Sequence, residues 1–180
     1  MVVVLTAAGL FAGGVLAYVY RATSADIEAN RVAEKERAVG VVVPGTVEKR
    51  YDESSAVYEC LDGSGRVVGY AFEAVGSGFQ GPIGLMIGAD ADLLTLTGLY
   101  VLESSETPGL GAKISTDEFR GQFAGLSVAD GLTVVKNEPA DKARGRVQAI
   151  TGATISSNAV GRIVNLRLAE VRGALKGGSE

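Results

Sequence analysis

The chain opens on nineteen consecutive uncharged residues, 2–20, reading VVVLTAAGLFAGGVLAYVY. About 20 apolar residues carry a helix across a bilayer, so this run predicts one transmembrane helix. Tyr18 and Tyr20 fall at its far end, where amphipathic rings favour the lipid–water interface, and Arg21 closes it. Gly9 and Gly13 have the spacing that lets helices approach closely in lipid. A cleaved secretory leader competes with this reading. The run is longer than a typical leader core and no basic residue precedes it, which favours an uncleaved anchor. Over 22–38 the pattern turns polar, with a thin apolar stripe at Ile27, Val32 and Ala33. That predicts a helical stalk, ended by 40–44 with its Gly40 and Pro44.

Alternation of apolar and polar positions then predicts strands. Runs at 56–61 and 67–75 flank Asp62-Gly63-Ser64-Gly65, a hairpin signal. Runs at 82–88 and 94–102 form a second pair, and the apolar density of 83–87 suggests a central strand. Asp90 and Asp92 lie in the connection, where carboxylates serve turns more often than calcium. A short helix is expected over 116–123 with Thr116 as its N-cap, and another strand over 132–135. A polar loop spans 137–145. From 154 to 175 apolar residues recur with helical period at Val160, Ile163, Val164, Leu168, Val171 and Leu175. Arg162, Arg167 and Arg172 fall mostly on the other face. The fold class is α+β: an antiparallel β-sheet packed with α-helices, preceded by one N-terminal transmembrane helix. Three parts are expected: the transmembrane helix 1–21, a juxtamembrane stalk 22–44 and a folded domain 45–180.

Composition narrows the chemistry. There is no His among the 180 residues, which removes the commonest acid–base group and metal ligand. A single cysteine, Cys60, excludes an intrachain disulfide or a multi-cysteine metal site held by this chain alone; its alternating context suggests a small core residue. The net charge is −4 without a basic tract, so no nucleic acid partner is expected. Metal ligation is not expected. Redox chemistry would need a cofactor.

Two segments look chemical. Ile150-Thr151-Gly152-Ala153-Thr154-Ile155-Ser156-Ser157 places small and hydroxyl residues at the expected start of the last helix. Unpaired amides and the positive end of the helix dipole favour an anion there. Thr151, Thr154, Ser156 and Ser157 would supply hydroxyls; the same residues would equally serve as an ordinary helix cap. Upstream, Glu106-Thr107-Pro108-Gly109-Leu110-Gly111 combines one fixed φ with two flexible glycines, a shaped loop exposing backbone amides. Its bland counterpart is a structural turn.

Together, Thr151-Gly152-Ala153-Thr154 and Glu106–Gly111 resemble the two motifs of the FMN-binding domain family, in the family's order and at about its separation. Within that family, the chain resembles the flavoprotein subunits of Rnf-type ion-translocating complexes and of sodium-translocating NADH:quinone reductases. The resemblance implies FMN attached to Thr154 through a phosphoester. It implies a cofactor site drawn from Thr154, Thr151, Gly152, Ala153, Ile155, Ser156, Glu106, Thr107, Gly109, Leu110 and Gly111, with Phe79 beside the ring. It implies a redox relay between ferredoxin and NAD coupled to Na+ or H+ transport, partner membrane subunits and a flavin transferase for maturation. One position departs: Gln148 stands where the family often carries Asp, which bears on recognition by the transferase and leaves the acceptor hydroxyl intact. Orientation is open on the residues alone. Arg21, Arg31, Lys35 and Arg37 follow the helix, and the positive-inside rule would put the domain in the cytoplasm. The family implies a single-pass protein of the inner membrane with its domain on the extracytoplasmic, periplasmic side.

Overall fold

The computed structural model describes residues 1–177; the last three residues of the expected domain, 178–180, lie outside the described residues. The chain divides into two compact units, Met1–Glu36 and Arg37–Glu180. The first is helical from Val2 onward. It is the larger part of α1, Val2–Val42, which is long and apolar enough to cross a membrane.

The helix ends inside the expected 40–44 stop, at Val42. Pro44 disfavours helix in the residue before it, and Gly45 turns the chain at a φ of 90°. The last turn is held by packing, since Ala38, Val39, Val42 and Val43 are all buried.

Six strands follow in simple antiparallel order: β1 Glu48–Asp52, β2 Val57–Leu61, β3 Val67–Ser77, β4 Pro82–Ala89, β5 Thr95–Ser104 and β6 Leu126–Ser127. The antiparallel sheet expected from the alternation is thus present, with edge strands β1 and β6 added. β1 reads EKRYD and is mostly exposed, so no apolar period marked it. β4 is central and buried on both faces. Ile83, Leu85 and Ile87 join the larger core, while Met86 joins a second cluster with Ala38, Val39, Val42 and Val43. Gly88 makes room for that second cluster: a Cβ there would lie 2.2 Å from the Val42 carbonyl oxygen. The Thr97 hydroxyl donates to the same oxygen at 2.6 Å.

The larger core is closed by α3, Thr154–Gly177, with a 3-10 turn at Gly111–Ser115 and the short α2, Asp117–Arg120. Thr116 stands at the N-cap position of α2 as expected, but its hydroxyl donates to the Lys113 carbonyl and caps no helix amide. A separate pair, β7 Thr133–Val135 and β8 Arg146–Gln148, is parallel. The arginines of α3 also depart from expectation. Arg167 donates to the carbonyls of Glu73, Ser55 and Ala56, and Arg172 to those of Leu93 and Val128. Arg162 alone of the three is exposed. Cys60 is buried in the second cluster.

Candidate functional site

A cleft of about 420 Å³ lies where the loop after β5, the loop after β8 and the start of α3 meet. That volume falls within the ~300–1,000 Å³ usual for small-molecule sites. One wall is the segment entering α3. Its backbone makes a tight turn, with the Ala153 amide bonded to the Ile150 carbonyl at 3.0 Å and Gly152 at a φ of 83°. Positive φ at that position is the requirement of a type II turn. Ser157 locks the turn: its hydroxyl accepts from the Ile150 amide and donates to the Ala153 carbonyl, each at 3.0 Å.

The opposite wall is the 106–111 loop. The Leu110 amide closes onto the Thr107 carbonyl at 3.2 Å, and Gly109 takes a φ of 76°. The two walls touch where Gly152 faces Leu110: a Cβ on Gly152 would sit 3.4 Å from Leu110 Cδ2.

Glu106 fastens three segments. Its Oε1 accepts from the amides of Phe79 at 2.7 Å and Gln80 at 2.9 Å, and its Oε2 accepts from the Ser156 hydroxyl of α3. Thr107 adds a bond from its hydroxyl to Gln80 Oε1 at 2.6 Å. Burial alone would raise the Glu106 pKa. The hydrogen bonds from Ser156 and from the Gln80, Phe79 and Gly81 amides outweigh that and hold it below the usual carboxylate value. Two glycines admit this carboxylate. A Cβ on Gly78 would lie 2.3 Å from Oε1, and one on Gly111 2.5 Å from Oε2.

The residues of the expected cofactor site line the cleft except Gly109, whose part is the turn itself; Ser157, also named for its hydroxyl, lies behind the wall. Two roles change. The Ser156 and Ser157 hydroxyls, expected to face an anion, are buried and used inside the protein, because the first turn of α3 points them into the core side. Thr151 and Thr154 are the hydroxyls of this segment left to the cleft. Thr154 is half-buried at the first position of α3, and its hydroxyl makes no hydrogen bond among the described residues. Ile150, the first residue of the segment singled out from the sequence, also lines the cleft, as do Lys136, Asn137 and Ala149, which were not singled out. They arrive through the parallel β7–β8 pairing, which carries the Ala149 amide to the Val135 carbonyl at 2.8 Å. An Asn at the end of an apolar run was the available signal, and Asn137 indeed turns at a φ of 59°.

The donor set suits a phosphate ester: hydroxyls at Thr151 and Thr154, the amide end of α3, and the exposed Lys136 ammonium. Phe79, Leu110 and Ile155, 65%, 49% and 55% exposed, offer apolar surface to a flat ring. Sequence comparison agrees with this chemistry. Residues 78–169 match the model of the FMN-binding domain. The chain is 38% identical over 170 residues to a subunit of the ion-translocating oxidoreductase complex of Methanosarcina acetivorans, covering 89% of this chain and 87% of that protein. It is 32% identical over 156 residues to the subunit of the same designation in the proton-translocating ferredoxin:NAD(+) oxidoreductase complex of Clostridium ljungdahlii, covering 87% and 82%. Among solved structures, NqrC from Shewanella oneidensis shares the fold, with a TM-score of 0.58 over 72% of each chain at 18% identity.

Proposed function

The chain belongs to the FMN-binding domain family, and on that premise we propose that it is a membrane-anchored electron carrier of an ion-translocating oxidoreductase complex, holding FMN through a phosphoester to Thr154. The observation that carries the reading is Thr154 itself. It stands at the amide end of α3, in the cleft wall, with a hydroxyl that has no partner among the described residues. Every other hydroxyl in the first turn of α3 has an internal partner.

Bound FMN supplies reversible one- and two-electron chemistry that these side chains lack. The chain's own residues bind and shape. Thr151, the first amides of α3 and Lys136 meet the negative charge of the phosphate. Phe79, Leu110 and Ile155 exclude water from the ring. Glu106 and Thr107 hold the 78–81 loop in place. A tethered carrier suits a fixed relay, with electron entry, electron exit and coupling to Na+ or H+ assigned to partner subunits of an Rnf-type complex. The reading includes a single pass through the inner membrane by α1, a domain on the extracytoplasmic side, and maturation by a flavin transferase. A second reading, the flavin-bearing subunit of a sodium-translocating NADH:quinone reductase, is favoured by the likeness to NqrC, which is one of fold. The subunits that copurify from the membrane separate the two.

The test is expression with an active flavin transferase, then denaturation and in-gel fluorescence. Wild type is expected to fluoresce and Thr154→Val, which deletes the hydroxyl at nearly constant size, to be dark. A dark wild-type band beside an active transferase would sink the carrier reading and leave a non-redox assembly module.

A further inference from the structure

Glu106 is the one charged residue buried among the described residues, at 5% exposure. No cation lies within ion-pair distance of it among those residues. Its charge is carried instead by dipoles: two amides of the 78–81 loop, the Ser156 hydroxyl and the positive end of α3. The two amides can only donate, so Oε1 serves them as a bare acceptor. Gly78 and Gly111 leave no Cβ in its place. The result is a charge built into the cleft wall beside Thr107 and Gly111 and kept out of water.

We propose that Glu106 is a fixed anion that lowers the reduction potential of a flavin held in this cleft. The inference rests on the FMN reading above. Placing electrons on a group in the cleft makes it more negative. A buried carboxylate opposes that through a medium far less polarisable than water. The effect needs no contact between Glu106 and the ring. Because the charge is buried, mobile salt screens it weakly, unlike that of the exposed Lys136 on the same cleft.

Glu106→Gln separates charge from architecture. The amide oxygen can still accept from Phe79 and Gln80, and the new NH₂ can donate to Ser156 once that hydroxyl rotates. Ser156→Ala does the reverse: it keeps the charge and removes a bond. Each variant is loaded with FMN by a co-expressed transferase and titrated potentiometrically beside wild type. E106Q is expected at a higher midpoint potential than wild type, with the same shift at low and high salt, and S156A much closer to wild type. Equal potentials for E106Q and wild type, or an S156A shift as large as that of E106Q, overturn the inference while leaving the FMN reading intact. A wild-type chain that takes up no flavin overturns that reading and this inference with it. If E106Q alone stays unloaded, the wild-type holoprotein is titrated into acid. A potential that rises more steeply than that of free FMN as Glu106 is protonated supports the fixed anion; an identical slope overturns it.

Discussion

A carboxylate that accepts from two amides and a hydroxyl is held more strongly while it is ionised, so the strength of the ties between the 78–81 loop, the 106–111 loop and α3 depends on pH. The folded pKa of Glu106 lies below its ordinary value of 4.5. The unfolded chain therefore takes up the proton first as pH falls. The contribution of Glu106 to stability is complete above that ordinary value and is lost as pH drops through the lower folded value. Hydrogen bonds to a charged group are worth about 1.5–3 kcal/mol each, so Glu106→Ala is expected to cost several kcal/mol near neutral pH. Urea midpoints measured at neutral pH and at about pH 3 check this. The gap between wild type and the variant should narrow in acid; a gap of constant size would mean that the ties do not need the charge. Thr154 has a different fate at the same cleft. Its hydroxyl lacks an internal partner among the described residues, so Thr154→Val is expected to remove the proposed flavin attachment and to leave these ties in place.

At the level of elements, α3 is fastened to the sheet by more than its apolar stripe. Arg172 reaches the Leu93 carbonyl at 2.6 Å and the Val128 carbonyl at 2.8 Å, and Leu93 itself turns at a φ of 58°. Arg172→Met keeps the aliphatic stem and strands the Leu93 carbonyl, at about 1–3 kcal/mol, while the Val128 carbonyl keeps the Gly131 amide at 2.9 Å. A loss of roughly 1–3 kcal/mol by chemical denaturation is expected, against a change within about 0.5 kcal/mol for Arg162→Met on the exposed face. Similar losses for the two would mean that the carbonyl bonds contribute nothing. These arginines mark where legibility ended. Helical period separated the apolar stripe of α3 from its polar remainder, and that was right for Val160, Val164 and Leu168. Period alone cannot tell a solvated arginine from one folded back onto a carbonyl. The same holds at the cleft. Both motif loops were readable because glycine, proline and hydroxyl residues act locally. Lys136 was not, because a parallel β7–β8 pairing leaves no local mark. Strands β2 to β5 were legible through alternation and glycine turns, whereas β1, without apolar residues to alternate, was invisible.

Over the whole molecule, one helix belongs to two compact units. α1 runs unbroken from Val2 to Val42, yet the second unit begins at Arg37, so the end of the helix is part of the folded domain. Val39 and Val42 are 0% exposed and Val43 1%, packed with Cys60, Ala71 and Met86 on the sheet face turned away from α3. Gly88 and Gly98 are shaped to receive this turn, since a Cβ on either would strike the Val42 backbone at 2.2 and 2.9 Å. Burying a valine contributes at least about 1.5 kcal/mol. Three of them with Ala38 amount to roughly 5 kcal/mol, comparable to the whole stability of an ordinary domain. A chain begun at Arg37 should therefore fold in water without detergent and still take flavin at Thr154. A chain begun at Gly45 should melt at much lower temperature or aggregate through the bared sheet face, although both lack the membrane-spanning run. Thermal melts of the two, with in-gel flavin fluorescence as a second reading, decide it. Equal melting temperatures would mean that the helix end is only a tether. The expected difference would mean that the segment leaving the membrane also completes the core of the cofactor domain, with residues 37–43 part of the body that carries the cleft.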